Sequence, residues 1–86
     1  MDNKVLVCLK VPEIDQLFDV YLPVNKKIGN ILILINKFLN DYTSGSFPIT
    51  SNIGLFNLDT RELYSPDTLL INTSIRNGTK LMILVK

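Results

Sequence analysis

Histidine is absent from this 86-residue sequence, and cysteine occurs only once, as Cys8. Without histidine the chain has no imidazole to act as a general base, as a zinc ligand or as a charge switch near neutral pH. A single cysteine excludes an internal disulfide framework and is typical of a reducing compartment. The sequence therefore predicts a cytoplasmic protein that is not an enzyme, with no catalytic residues, no cofactor and no metal site.

The sequence also lacks a strong charge of either sign and a long hydrophobic run. Nine Lys and Arg against eight Asp and Glu leave a net charge of +1, whereas proteins that bind nucleic acid or anionic membranes present a basic field. No window approaches the roughly 18 consecutive apolar residues that indicate a transmembrane helix. The first residues, Met1 to Lys4, show neither a basic region nor a cleavage site. We expect no nucleic-acid partner, no secretion signal and no membrane insertion.

Hydrophobic residues are abundant, at 47% of the chain, against 20% charged residues. This balance excludes intrinsic disorder, and the length is that of one small domain. We find no repeat, no low-complexity run and no linker. The sequence therefore predicts a single domain over residues 1–86.

The first half of the chain changes from strand to helix periodicity. Residues 4–11 and 17–22 alternate along the chain, which predicts an antiparallel hairpin. Residues 27–42 carry apolar side chains at helical spacing over more positions than a strand usually has, which predicts a helix. Asn25 is the expected N-cap of this helix.

The second half is predicted to be strand and loop. Residues 43–52 have the composition of a loop, and residues 54–59 and 61–64 indicate two short strands joined by a tight turn. Residues 69–71 fit one helical turn, and residues 80–86 alternate as a last strand. The resulting class is α+β, of ββαββ order, with the helix between two hairpin regions.

This order resembles the β-grasp, or ubiquitin-like, fold. Within it, residues 20–28 (VYLPVNKKI) and 74–84 (SIRNGTKLMIL) resemble the YukD/EsaB family, small ubiquitin-like proteins of bacterial type VII (WXG100) secretion systems. The resemblance implies a mixed sheet packed on one helix, with the last strand parallel to the first. It also implies a cytoplasmic, non-enzymatic adaptor or regulator that binds a cytosolic domain of a membrane component of the secretion machine.

Two departures from ubiquitin itself shape the expected function. The sequence ends in Val85 and Lys86 rather than in Gly-Gly, so conjugation through the C-terminus is not expected. By spacing from Leu63, Asn57 falls where ubiquitin has the central isoleucine of its apolar patch, which predicts a broken patch. The alternatives are a protein modifier or sulfur carrier, and a β-grasp interaction module of an unrelated pathway.

The predicted docking residues follow from the expected pairing of the two terminal strands. Their outward side chains combine apolar groups with lysines, and they are Lys4, Leu6, Lys10, Lys80, Met82, Leu84 and Lys86. Charged groups also protect open sheets from aggregation, so the pattern of this face fits either partner binding or protection from aggregation. Ile33 lies on the helix opposite the core stripe and is a second candidate contact, for a partner or for a second copy in a homodimer.

Other chemically suggestive residues have plainer interpretations. Cys8 has no histidine beside it and is expected to be a structural thiol. Three acidic side chains fit no metal-binding spacing and are read as turn residues, namely Asp59, Glu62 and Asp67. Four basic side chains do not share one helical face and are read as solvated surface, namely Lys26, Lys27, Lys37 and Arg76.

Overall fold

The computed structural model describes residues 3–86. Met1 and Asp2 lie outside the described residues. The expectation that the N-terminus carries no secretion signal rests partly on these two residues. The elements in chain order are β1 (Lys4–Val11), β2 (Gln16–Pro23), α1 (Ile28–Tyr42), β3 (Ile53–Asn57) and β4 (Lys80–Val85). Single turns of 3₁₀ helix occupy Pro12–Ile14 and Leu70–Asn72. The predicted ββαββ order is confirmed, with four of the five predicted strands present among residues 3–86.

The four strands form one mixed sheet in the order β2-β1-β4-β3. β1 runs antiparallel to β2 and parallel to β4, and β3 runs antiparallel to β4. The expected parallel contact between the first and the last strand is therefore confirmed. These two central strands are the most continuously apolar ones, as expected for strands with neighbours on both edges.

Alternation along the strands directs one side of the sheet onto α1. The core residues contributed by the two central strands are Val7, Leu9, Val11, Leu81 and Ile83, and those from the helix include Ile28, Ile31, Leu32, Ile35 and Leu39. Burial of this stripe, rather than helix propensity alone, stabilises α1. Within residues 3–86, no helix is long and apolar enough to cross a membrane.

The predicted N-cap at Asn25 is wrong. The N-cap of α1 is Lys27, and no side chain caps the helix. The backbone N–H groups of Ile28 and Gly29 instead donate to the carbonyl oxygens of Thr68 and Pro66, each at 2.9 Å. A distant segment thus satisfies the first free N–H groups of the helix, which removes the need for a local cap.

The predicted strand over residues 61–64 is reduced to one isolated bridge between Phe56 and Leu63. β3 itself ends at Asn57 rather than at Asp59. The Asn57 Oδ1 atom accepts hydrogen bonds from the N–H groups of Asp59 and Thr60, at 2.8 and 3.0 Å. This side chain closes the chain into a turn before a second strand develops, which is a common role of asparagine.

Gly78 forms the turn that delivers β4 to the side of β1. Its φ of +88° lies in the left-handed region, and its N–H donates to the Leu6 carbonyl at 2.8 Å. Replacement of Gly78 by alanine is therefore expected to cost about 1 kcal/mol of unfolding free energy. Asparagine, which tolerates positive φ, is expected to cost less. Chemical denaturation measures both values, and equal stability of the alanine variant and the parent would contradict the assignment.

Candidate protein-docking surface

The face of the sheet opposite α1, here called the outer face, carries one row of side chains across all four strands. The register pairs Lys10 with Leu17 on β2 and with Met82 on β4, and it pairs Met82 with Phe56 on β3. A bridge then pairs Phe56 with Leu63. Because side chains of paired residues point to the same face, these five residues lie side by side.

Leu84 follows Met82 on the outer face of β4 and pairs with Gly54. A Cβ atom added to Gly54 would lie 3.1 Å from the Leu63 Cδ1 atom and 3.2 Å from the Lys86 Cε atom. The side chains of Leu63 and Lys86 therefore extend over Gly54, because glycine has no side chain to occupy that space. We name the following residues the sheet patch: Leu17, Lys10, Met82, Phe56, Leu63 and Leu84.

The sheet patch is mainly apolar, and the charged residues in it and beside it are mainly basic. Leu17 is 65% exposed and Leu63 is 50% exposed, while the other apolar members are half-buried. Lys10 lies within the row, and Lys80 and Lys86 lie beside it, all three exposed. One acidic side chain, Asp19, is exposed on the same face two residues along β2 from Leu17. An apolar centre with basic residues around it is complementary to an apolar contact surrounded by acidic groups.

The structure separates the predicted docking residues into groups. β1 and β4 pair with Cys8 beside Lys80, so Leu84 lies beyond the end of β1, whereas Leu6 lies near its start. At about 3.3 Å per residue, the two leucines are about 20 Å apart along the strands. Of the predicted residues, Lys10, Lys80, Met82, Leu84 and Lys86 come together, and Lys4, Leu6 and Ile33 lie apart from them.

The expectation for Asn57 is wrong, because Asn57 lies on the core face with 2% exposure. β3 places Ile53, Leu55 and Asn57 inward, and Phe56 occupies the outward position beside Met82. Counting from Leu63 failed because the turn after β3 shifts the register. An aromatic side chain therefore stands where a polar one was expected, and the apolar surface is not interrupted at this position.

Solved structures resemble this chain, although no protein-family model and no curated protein matches its sequence. The ubiquitin-like domain of EccD5 from Mycobacterium xenopi has a TM-score of 0.75 to this chain at 15% identity, covering 96% of this chain and 94% of that one. This chain has the ubiquitin-like β-grasp fold. The recurrence of the fold at such low identity shows shared architecture, not shared function.

Two further structures share this ubiquitin-like fold. A chain of the MycP5-free ESX-5 inner membrane complex has a TM-score of 0.70 at 18% identity, covering 98% of this chain and 21% of that chain. A chain of the toluene 4-monooxygenase complex with 4-bromobenzoate has a TM-score of 0.72 at 8% identity, covering 96% and 99%. The ubiquitin-like fold thus occurs in a secretion membrane complex and also in an enzyme complex.

Three members of the sheet patch were missed by the sequence analysis, namely Leu17, Phe56 and Leu63. Leu17 had a usable signal, because it alternates with the inward-facing Phe18 and so points outward. The sequence carried no such signal for Phe56 and Leu63. The position of Phe56 depends on where β3 starts, and that of Leu63 on its bridge to Phe56 after the turn. The patch therefore became visible only with the register.

Ile33 lies outside the sheet patch, on the helix side of this ubiquitin-like domain. It is 66% exposed and borders a cleft of about 410 Å³ with Ile49, which is 64% exposed. The Asn36 amide nitrogen donates to the Pro48 carbonyl at 2.9 Å, and its oxygen accepts from the Thr50 N–H at 2.8 Å. These bonds hold the 47–51 loop against α1 and form one wall of the cleft.

The other chemically suggestive residues do not assemble into a reactive site. Cys8 is a half-buried free thiol on the outer face. The Arg76 guanidinium donates to the carbonyl oxygens of Thr73 and Ile75, both at 2.7 Å, and so supports a local turn. Across residues 3–86, no three His, Cys, Asp or Glu side chains come together as potential metal ligands.

Proposed function

We propose that this protein is a non-enzymatic, cytoplasmic adaptor of a type VII secretion system that docks non-covalently through the sheet patch. Its partner is a cytosolic domain of a membrane component of the secretion machine. One observation carries the proposal: Leu17, Met82 and Phe56 lie in one register row on the outer face, with lysines beside them. Residues 1–86 act as a single ubiquitin-like domain.

The composition of the sheet patch favours protein binding over mere protection of the sheet. A surface that only prevents aggregation places charged residues at the edges and avoids exposed leucines. Here leucines at both ends of the row are at least half exposed, and the half-buried Met82 and Phe56 lie between them together with the exposed Lys10. Exposed apolar residues in one contiguous group are typical of interaction sites.

The secretion setting is supported by two independent resemblances. Residues 20–28 and 74–84 resemble the YukD/EsaB family of type VII (WXG100) systems in sequence. A chain of the ESX-5 inner membrane complex contains a region with the same fold. The first resemblance favours a separate small adaptor, and the second shows that this fold also occurs within such a membrane complex.

Replacement of Met82 by aspartate is expected to weaken partner binding at least about tenfold, because it places a charge at the centre of the apolar contact. The half-buried position on the outer face limits the expected loss of stability to about 1 kcal/mol. The measurement is affinity purification from the native cells with the Met82→Asp variant and the parent, followed by mass spectrometry. Native and denaturing washes are analysed separately.

The matched control is Ile71→Asp, because Ile71 is 57% exposed and lies outside the sheet. This variant is expected to retain the partners, which should be secretion-system membrane components released by denaturation. Equal retention by the folded Met82→Asp variant would refute docking through the sheet patch. Partners that survive the denaturing wash with the added mass of one domain would refute the adaptor and favour a covalent modifier.

A further inference from the structure

Both ends of α1 carry a charge of the sign that the helix dipole disfavours. Lys27 is the N-cap residue, and the first turn holds no acidic side chain. Asp41 is the last residue but one of the helix, and the last turn holds no basic side chain. A helix is partially positive at its N-terminus and partially negative at its C-terminus, so both charges lower the stability of α1 slightly. Helix stability therefore does not explain these two exposed residues.

Lys27 and Asp41 lie in one straight row with Leu34 on the exposed side of α1. Successive members of this row are seven residues apart, which is almost two helical turns, so the three side chains share one face. With a rise of 1.5 Å per residue, each charge lies about 10 Å from Leu34 along the helix axis. Leu34 is 56% exposed. We name Lys27, Leu34 and Asp41 the helix row.

Exposed apolar side chains flank the helix row. Phe38 is 42% exposed and Tyr42 is 53% exposed. The Phe18 ring holds both in place by edge-to-face contacts, at centroid distances of 5.2 and 5.1 Å. Ile33 lies on the other side of the row and is 66% exposed. An exposed leucine among exposed aromatic and aliphatic side chains is typical of an interaction site.

The helix row is complementary to its own reverse, which points to a second copy of the chain as its partner. Two antiparallel helices that cross at Leu34 place Lys27 of each copy beside Asp41 of the other. A two-fold symmetric contact requires such self-complementarity, because both copies use the same surface. At the shallow crossing angle of about 20° that packed helices often adopt, both charge pairs stay within reach. A parallel pair would bring like charges together, which is destabilising.

We propose that this protein forms a two-fold symmetric dimer in which the helix rows of two copies pack antiparallel. The helix row shares no residue with the sheet patch, and the outer face lies on the opposite side of the sheet from α1. The two sheet patches of the dimer therefore stay free and face away from each other. One dimer could then hold two partner domains, which raises the overall affinity when the partner is itself present in several copies. Dimer formation itself does not depend on the docking function.

Reversal of single charges tests the dimer. Lys27→Glu brings two acidic groups together at each end of the contact, and Asp41→Lys brings two basic groups together. Each variant is expected to raise the dissociation constant of the dimer at least about tenfold. Both replacements suit the helix dipole, so the fold is expected to be kept, as circular dichroism can verify. Analytical ultracentrifugation of the full chain from about 10 µM to about 1 mM covers the range expected of a small interface.

An equimolar mixture of the two single variants provides the decisive comparison. Opposite charges meet again at both ends of the mixed dimer, so the mixture is expected to associate as the parent does. The double variant Lys27→Glu, Asp41→Lys is expected to dimerise for the same reason. Met82→Asp is the matched control, because it changes the outer face and is expected to leave dimer formation unaltered.

Four results would overturn the proposal. A parent that stays monomeric over this range would leave the helix row to a different protein. Equal dissociation constants for the parent and the single variants would place the contact elsewhere. Single variants that do not associate when mixed would refute the antiparallel pairing. Loss of the dimer in Met82→Asp would place self-association on the sheet patch.

Discussion

Replacing Leu81 by alanine is expected to lower the free energy of unfolding by about 3–5 kcal/mol. Leu81 is 0% exposed and stands on the core face of β4 between Leu9 on β1 and Asn57 on β3. Truncation removes buried apolar surface and leaves a cavity that the two flanking strands prevent from closing. Small domains have about 5–15 kcal/mol of stability in total, so Leu81→Ala removes a large part of the free energy of unfolding.

Thermal unfolding followed by circular dichroism measures the effect of Leu81→Ala. For a domain of this size, the expected loss corresponds to a fall in Tm of at least about 12 °C. The matched control is Leu84→Ala, because Leu84 lies on the same strand but on the outer face. It is expected to cost about 1 kcal/mol while weakening partner binding. Similar stability losses in the two variants would contradict the assignment of the two faces.

Replacing Asn57 by leucine is expected to cost about 2–3 kcal/mol, although leucine has a similar volume and suits a buried position. The Asn57 amide oxygen accepts hydrogen bonds from the Asp59 and Thr60 N–H groups, and its nitrogen donates to the Tyr64 hydroxyl at 3.0 Å. Tyr64 keeps a second partner, because its hydroxyl lies 2.8 Å from the Ser74 hydroxyl. In the leucine variant the Asp59 and Thr60 N–H groups lose their hydrogen-bond acceptor. That loss accounts for most of the expected decrease in unfolding free energy.

Chemical denaturation and hydrogen exchange test the Asn57→Leu variant together. Exchange of the Asp59 and Thr60 amides is expected to accelerate more than exchange of the amides within β3, because the turn opens first. Asn72→Leu is the control, since Asn72 is exposed and its side chain makes no hydrogen bond within the described part of the chain. We expect its stability to change by less than about 0.5 kcal/mol. A loss below about 1 kcal/mol for Asn57→Leu would show that the turn does not depend on this side chain.

Predictions from the sequence succeeded where periodicity alone decides the outcome. The strand over residues 4–11 has the predicted bounds, and the helix begins at Ile28, one residue after the predicted start. Both elements have unbroken patterns over many residues, so errors at single positions do not change the assignment. The parallel neighbourhood of β1 and β4 was expected from the resemblance to the β-grasp fold, and the structure confirms it.

Predictions failed where one residue of register or one distant contact decides the outcome. Asn57 was expected outside and is buried, because its amide groups are needed to close the following turn. Asn25 was expected to cap the helix, but the carbonyl oxygens of Pro66 and Thr68 perform that function. Neither result can be read from local spacing, since each depends on segments that meet only after folding.

The sequence by itself determined the class of the fold, the two central strands, the helix and the absence of histidine chemistry. These properties follow from composition and from alternation, which are local. The tertiary structure decided which side chains form the sheet patch, because the row from Leu17 through Met82 to Leu63 joins all four strands and the segment after β3. It also decided that β2 lies at the sheet edge. A surface is defined by strand order and register, and these are set by how the segments pack together.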